Sequence, residues 1–321
     1  MLSVLTRITV FYEYFRVVFI EMGQLRIKVL ILSCVLASSS LFATDSLSVL
    51  KKRKLVLGIS SVAVTTGSLI YLNQAWYQQY SGSTFHTFDD NNEWCQMDKF
   101  GHAFTTYQTG RLMMQAMDWA GYTRKKQILI GGLSGFAYMA AVEVMDGYSS
   151  GWGFSWGDMG ANALGSGLAI GQKALWNEQR MQLKFSFYPS GLAKYRTDQL
   201  GKSFSTQILK DYNGQTYWLS INPSSFLKKD TGFPKWLNLA IGYGADGMLG
   251  ARYNNVLAQD ENGNTFYFQR YRQYYLSLDV DFTRIRTRSK LLKAIFSGIN
   301  TIKIPFPNLE LSQGKLKFNA Y

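Results

Sequence analysis

The chain has 321 residues, and 47% of them are hydrophobic, which is enough to form the core of one large domain or of two. A net charge of +13 favours an anionic partner such as a lipid surface. The dispersed basic residues and the export signal described below argue against nucleic acid. With two cysteines, one of them in that signal, the chain has neither a disulfide framework nor a cysteine-rich zinc site.

The first 43 residues are a predicted targeting region. Residues 22–43 resemble a secretory signal, with Arg26 and Lys28 before an apolar stretch and small residues up to Ala43. Cys34 follows Ile-Leu-Ser, which faintly resembles a lipoprotein box, and residues 1–21 form an upstream extension. We therefore expect export to the cell envelope, either to the periplasm or to an association with the outer membrane.

An apolar run at residues 55–72 follows a basic cluster at residues 51–54. The run is long enough to cross a bilayer, and crossing the inner membrane would leave the basic cluster in the cytoplasm. A cleaved signal would instead place the cluster in the periplasm. A helix that is buried in a bundle or that lies on a membrane is the alternative.

Residues 44–179 have the apolar spacing of helices, which we predict over 97–120, 124–146 and 158–176. Together with the run at 55–72 they predict a membrane-associated bundle of about four helices. Glycines are frequent in these segments, and we expect the helices to approach closely at them, as in membrane bundles. They are Gly131, Gly132, Gly135, Gly160, Gly165, Gly167 and Gly171.

Residues 180–321 change to an alternation of apolar and polar residues, seen at 183–187 and 274–282. We predict strands there with one dry and one wet face, and further strands at 215–221, 236–244, 264–271, 299–304 and 314–320. The predicted fold class is therefore α+β, a helical bundle followed by an antiparallel β region. A β-barrel or part-barrel in the outer membrane and a soluble sheet packed on the bundle both fit the alternation.

Ionisable and polar side chains interrupt the apolar helices and mark the candidate site. They are Asp98, Lys99, His102, Glu143, Asp146, Ser155, Asp158 and Asn162. Residues three or four apart on a helix share a face, so Asp98 and Lys99 adjoin His102 on their helix. An unpaired buried charge costs several kcal/mol or more, so each group needs a partner. We therefore predict that His102, Glu143 and Asp158 converge in one partly buried pocket.

Three interpretations of this cluster remain open: catalysis, binding of a metal or another ligand, and a purely structural role. His102, Glu143 and Asp158 are candidate catalytic residues, because an imidazole near neutral pH can exchange protons beside a carboxylate. His102 with Glu143, Asp146 or Asp158 also fits a divalent metal, for which carboxylate oxygens are hard ligands. The remaining residues are candidate ligand-binding groups, with Lys99 suited to a phosphate: Asp98, Lys99, Asp146, Ser155 and Asn162. A buried polar network that only stabilises the helices is the third possibility.

The spacing of these residues resembles a known family. Asp98-Lys99, His102 and Tyr107, followed by the Glu143, Asp146 and Ser155 to Gly165 segments, are similar to the YfiM-like predicted periplasmic lipoproteins, domain of unknown function 2279. The segments at 93–99, 210–220 and 233–238 resemble its long form from Bacteroidetes-type envelopes. The helical motif is also similar, more weakly, to VanZ-like membrane domains. The resemblance implies an envelope location and no established activity, and it assigns no residue a role.

We expect a structural or binding protein of the envelope that recognises a lipid or glycolipid head group. The alternative is a hydrolase or transferase that acts on a phosphorylated envelope lipid through the His102–carboxylate cluster. Membrane lipid is the expected partner, and an envelope protein is a further candidate. The aromatic content supports this location, because amphipathic rings favour membrane interfaces.

Overall fold

The computed structural model describes residues 46–78, 80–227, 232–254, 258, 259, 263 and 265–320. The predicted signal segment with Cys34 lies outside these residues. Within them, helices come first and an antiparallel sheet follows, which confirms the α+β class. The number of helices in the bundle and the part-barrel stay predictions.

Four long helices occupy the first half: α1 (Ser46–Leu72), α2 (Met97–Trp119), α3 (Arg124–Gly147) and α4 (Trp156–Trp176). The last three match the predicted segments to within two residues, whereas α1 begins well before the predicted apolar run at 55–72. The helix α1 continues through a π turn, Asn73–Tyr77, and contains the boundary between two compact units, one ending at Ala63 and one beginning at Val64. The segments Leu47–Tyr77 and α3 are long and apolar enough to cross a membrane.

Glycines allow α2, α3 and α4 to approach closely. A Cβ atom at Gly135 of α3 would overlap the Thr106 carbonyl of α2, and one at Gly165 of α4 would overlap the Ala103 carbonyl. The predicted close contacts are confirmed at these two positions and at Gly131 and Gly132. The prediction was wrong for three glycines of α4 whose Cβ position has no described atom within 4 Å: Gly160, Gly167 and Gly171.

The described residues form eight strands, all in the second half of the chain. They are β1 (Met181–Phe187), β2 (Gln215–Ile221), β3 (Leu237–Asp246), β4 (Ala258–Gln259), β5 (Thr265–Phe266), β6 (Tyr271–Val280), β7 (Asn308–Ser312) and β8 (Lys315–Asn319). Six of them form one antiparallel sheet in the order β1–β2–β3–β6–β7–β8, while β4 and β5 pair separately. Among the described residues, three short helices lie between strands: α5 (Thr197–Leu200), α6 (Phe204–Lys210) and α7 (Lys290–Ile299).

Most of the predicted strands are present. The segment 264–271 is an exception, because it contains the two-residue β5 and only the first residue of β6. The segment 299–304 begins with the end of α7, and its Ile302 makes a single bridge to Phe185 of β1. The hydrophobic residues of 290–299 have helical spacing, which explains why a strand does not start there.

The alternation in the sheet is present, but its apolar face is the exposed one in the middle strands. Ile241 of β3 and Leu276 of β6 are paired in register and are 51% and 44% exposed. Asn238 and Asp279, also paired, are 1% and 0% exposed. In these strands hydrogen-bonded polar side chains occupy the covered side, and the apolar side is the uncovered one.

The larger apolar core lies where the start of α2 meets the sheet, around Met97, Leu200, Tyr217 and Met248. Aromatic rings connect the two layers. Phe100 of α2 stacks on Tyr243 of β3 with ring centroids 4.5 Å apart. The contact fixes the first turns of α2, which carry the candidate site, against a rigid sheet.

Candidate functional site

A backbone reversal places the first charged residues of α2. Trp94, Cys95 and Gln96 all have positive φ angles, of 47°, 50° and 64°, an uncommon conformation for residues other than glycine. The turn holds because Trp94 is buried and the Tyr243 hydroxyl donates to the Cys95 carbonyl oxygen. Asp98 then lies in the first helical turn, where a carboxylate interacts favourably with the helix dipole.

Lys99 lies among three carboxylates. Its Nζ atom is 2.6 Å from Asp90 Oδ1, 2.8 Å from Asp158 Oδ1 and 3.4 Å from Asp98 Oδ2. The side chain is 14% exposed, so these ion pairs are only weakly screened by water. This arrangement makes Lys99 the counter-ion of the cluster.

The structure brings together the three residues predicted to converge. His102 Nδ1 is 3.5 Å from Glu143 Oε1 and 3.2 Å from Asn162 Oδ1. On the other side of the ring, Nε2 is 3.9 Å from Asp158 Oδ1 and from Asp98 Oδ1. The imidazole therefore lies between carboxylates from α2, α3 and α4, and it is 9% exposed.

Ser155 caps α4 and connects the carboxylates. Its Oγ atom accepts a hydrogen bond from the Asp158 backbone N–H at 3.1 Å and donates to Asp90 Oδ1 at 2.6 Å. Its own backbone N–H donates to Glu143 Oε2 at 3.0 Å. The N-cap therefore fixes the start of α4 and two carboxylates at the same time.

Asp146, the remaining predicted carboxylate, accepts a hydrogen bond from the Tyr77 hydroxyl at 2.7 Å. Three partners of the site were not predicted: Asp90, Tyr77 and Tyr212. The Tyr212 hydroxyl donates to Asp98 Oδ1 at 2.9 Å from the loop before β2. The acidic loop that contains Asp90 is visible in the sequence next to the helices. Residue spacing, however, does not predict which helix face a loop residue contacts.

A cavity of about 580 Å³ adjoins this cluster. Its wall is largely aromatic and includes Trp76, Trp152 and Tyr217, while Asp98 and Asp158 supply carboxylates. Lys210 also lines it, with Nζ 5.3 Å from the centroid of the Trp76 ring. The Trp152 Nε1 atom is buried and has no hydrogen-bond partner among the described residues.

The electrostatics follow from the excess of carboxylates. Burial and the negative charge of Asp98 raise the pKa of Asp158 to about 10, although Lys99 opposes this. Burial also disfavours charge on Asp98, but His102 and Lys99 outweigh it and lower the pKa of Asp98. Burial disfavours charged Lys99, yet Asp98 and Asp158 outweigh burial and raise the pKa of Lys99. The cluster therefore keeps a proton on Asp158 at neutral pH.

This proton predicts a pH-dependent stability. The folded-state pKa of Asp158 lies above its ordinary value of 3.8, so the folded protein holds a proton that the unfolded chain releases. The free energy of unfolding should therefore fall as pH rises from about 4 to about 10. In Asp158→Asn, which cannot titrate, the fall between about pH 5 and 9 should be smaller, as measured by denaturant unfolding.

The matched control is Glu178→Gln, which neutralises a carboxylate outside the cluster and should keep the wild-type slope. Lys99 does not reverse the trend, because its raised pKa keeps it charged throughout this window. Equal slopes for wild type and Asp158→Asn would show that Asp158 is ionised in the folded protein.

Residues 87–173 match the family model described as "Predicted periplasmic lipoprotein (DUF2279)". The resemblance inferred from the sequence is confirmed over this segment, and the description confirms the predicted envelope location. No curated protein and no solved structure matches the chain. The matched segment contains the ionic cluster from Asp90 to Asn162 and excludes the sheet, so the cluster lies within the part of the chain that is similar to the family.

Proposed function

We propose that the protein binds an envelope phospholipid whose head group carries both a phosphate and an amine. The observation that carries the proposal is the cavity of about 580 Å³, whose aromatic wall contains carboxylates and a lysine. Small-molecule sites typically have volumes of roughly 300–1,000 Å³, with a few polar groups in an apolar lining. A head group together with the first part of its acyl chains has these properties.

The amine end is assigned to the carboxylates. Lys99 is shared by Asp90, Asp98 and Asp158, so the cluster has more acidic groups than it has lysine charge. A primary ammonium would form charge-assisted hydrogen bonds with such oxygens. The aromatic rings around the cavity add attraction for a cation above their faces.

The phosphate end is assigned to Lys210 and Trp152. Burial lowers the pKa of Lys210, so an anion beside it would favour the charged lysine. The indole N–H of Trp152 lacks a hydrogen-bond partner among the described residues, and a phosphate or ester oxygen would supply one. Lys99, the phosphate candidate of the sequence analysis, is the weaker choice, because the Asp90 and Asp98 carboxylates beside it would repel an anion.

The position of the cavity supports a lipid ligand. Leu72 and Trp76 line it, and both belong to Leu47–Tyr77, a segment apolar enough to cross a membrane. The wall of the cavity is therefore built by the end of a candidate membrane span. The head group of a lipid could enter such a site while most of its acyl chains stay in the bilayer.

Calorimetric titration of the purified full chain tests the proposal. The probes are dihexanoyl phosphatidylethanolamine and dihexanoyl phosphatidylglycerol, which share chains and phosphate and differ in the amine. We expect the first lipid to bind more tightly, and Asp98→Asn and Lys210→Met each to weaken it about 10- to 100-fold. This range corresponds to the loss of one charge-assisted hydrogen bond, about 1.5–3 kcal/mol.

Two control variants match these charge changes outside the cavity. Glu178→Gln removes an acid that pairs with Arg180, and Lys315→Met removes an exposed lysine of β8. Both should bind phosphatidylethanolamine like the wild type. Equal affinity for the two lipids, or equal loss in the controls, would reject a site for an amine-bearing head group.

A second candidate function is metal-assisted hydrolysis of a phosphorylated lipid. It is favoured by one observation, that Asp98, His102 and Asp158 each offer a ligand atom, all within 4.8 Å of one another. Glu143 Oε1 is buried beside them without a hydrogen bond among the described residues and could act as a base. Stoichiometric binding of Mn²⁺ or Zn²⁺ that His102→Ala abolishes and Glu178→Gln retains would favour this function over head-group binding alone.

A further inference from the structure

We infer that the exposed apolar side of the sheet and the exposed apolar side of α7 both contact the acyl chains of a lipid bilayer. The inference concerns a different part of the molecule from the cavity and does not rest on the proposed head-group site. The apolar side of β3, β6, β7 and β8 is named the outer apolar face. Its central residues are Ile241, Leu276, Leu278, Leu309, Leu311 and Phe318.

Strand register makes the outer apolar face continuous. Ile241 pairs with Leu276, Leu276 pairs with Leu309, and Leu309 pairs with Phe318. These four side chains therefore form a row across four strands, and each is at least 40% exposed. In water, such a row leaves apolar area uncovered, which is unfavourable.

The opposite side of the sheet is polar and covered in its middle strands, β2, β3 and β6. Asn238 Nδ2 donates to Ser220 Oγ at 2.8 Å, and Ser220 Oγ donates to Asp279 Oδ2 at 2.6 Å. All three residues are buried. A sheet of a water-soluble domain buries its apolar side, whereas strands in a membrane alternate apolar-out and polar-in.

The helix α7 shows the same inversion independently of the sheet. Its exposed residues include Leu291, Leu292 and Ile295, which cluster on one side of the helix. Ser297 on another side is buried and accepts a hydrogen bond from Arg111 Nη1 at 2.9 Å. Thus the helix contacts the protein through Ser297 and through the Phe296 ring, which lies beside Phe282, and it exposes its apolar stripe.

The charges around α7 favour lipid over a second copy of the chain. Exposed cations precede the helix and lie within it: Arg286, Arg288, Lys290 and Lys293. Beside an apolar stripe, such residues suit the phosphate layer of a membrane. A symmetric dimer through the same surface would bring identical patches together, so these cations would face cations.

Photo-crosslinking in vesicles tests the inference directly. The full chain carrying p-benzoylphenylalanine in place of Leu276, Leu309 or Ile295 is reconstituted into vesicles of phosphatidylethanolamine and phosphatidylglycerol and irradiated. We expect lipid adducts, detected by mass spectrometry, at all three positions. The matched control is the same substitution of Tyr253, an exposed aromatic outside both the outer apolar face and α7, which should give less than about a tenth of the lipid adduct.

Each other result overturns the inference. Cross-linked dimers of the chain in place of lipid adducts would identify the surface as an interface between copies. Lipid adducts at Tyr253 as frequent as at Leu276 would mean that contact with lipid is not specific to the surface. The absence of lipid adducts at Leu276 and Leu309 would show that the face is covered or in water. The circular dichroism spectrum of each variant, compared with that of the wild type, checks that the variant is folded.

Discussion

Lys99→Met is expected to lower the free energy of unfolding by about 3–5 kcal/mol, the usual cost of removing one partner from a buried ion pair. Lys99 Nζ contacts Asp90, Asp98 and Asp158, and methionine supplies no charge to any of them. The carboxylates would either remain unpaired or take up protons. Denaturant unfolding of the full chain near pH 7 measures the effect, which should shrink at low pH as the carboxylates become protonated.

Lys125→Met provides the matched control, because Lys125 is an exposed lysine of α3 in the same helical half. A surface lysine away from special features should change stability by no more than about 0.5 kcal/mol. If Lys99 instead held a lipid phosphate, Lys99→Met would remain stable and would lose affinity for dihexanoyl phosphatidylethanolamine and phosphatidylglycerol alike. That pair of results would contradict the counter-ion role.

The helical part of the site was predictable from the sequence. Helical spacing put Asp98, Lys99 and His102 on adjoining positions, and the cost of burying charge required partners from the neighbouring helices. The structure places Glu143 and Asp158 next to His102, as that reasoning predicted. Spacing worked because each of these residues lies on or at the start of a regular helix.

The contributions of loops to the site were not predictable in the same way. Asp90 lies in a loop before α2, and Tyr212 precedes β2, over 100 residues away from the Asp98 that it contacts. The tertiary arrangement of the bundle and sheet alone brings them together. The same arrangement creates the cavity, so its Lys210 and Trp152 could not be paired with the cluster from the sequence.

In the β region, the sequence predicted alternation but not which side is covered. A strand pattern of period two is the same whether its apolar side faces a core or a lipid phase. The helices cover only part of the sheet, around Phe185 and Tyr217, where Phe104 of α2 packs. Beyond this contact the apolar side is open at Leu276, and the polar side chains fill the covered space instead.

Those polar side chains include the most deeply buried ion pair among the described residues. Lys184 Nζ of β1 lies 2.7 Å from Asp279 Oδ2 of β6, and both side chains are 0% exposed. Lys184 also donates to Asn300 Oδ1 at 3.0 Å. Removing the lysine charge in Lys184→Met should therefore lower the free energy of unfolding by about 3–5 kcal/mol, measured by denaturant unfolding.

Lys317→Met is the control within the same sheet, because Lys317 pairs with Glu310 but is 47% exposed. Exposed pairs contribute about 0–1 kcal/mol, so this variant should remain close to wild type. If both variants lost similar amounts, the effect would come from lysine removal in general and not from burial.

The double variant Lys184→Met/Asp279→Leu distinguishes the contribution of the ion pair to stability from the contribution of side-chain volume. It leaves no charge without a partner, and replacing a buried pair by apolar groups is often neutral or stabilising. The remaining polar groups keep other partners, since Asn238 Nδ2 donates to Ser220 Oγ and Asn300 Nδ2 donates to Gln182. We therefore expect the double variant to be more stable than Lys184→Met, with a coupling energy of about 1–3 kcal/mol in the double-mutant cycle. Additive losses would show that the two charges are each satisfied by other groups, and that the polar interior does not depend on their pairing.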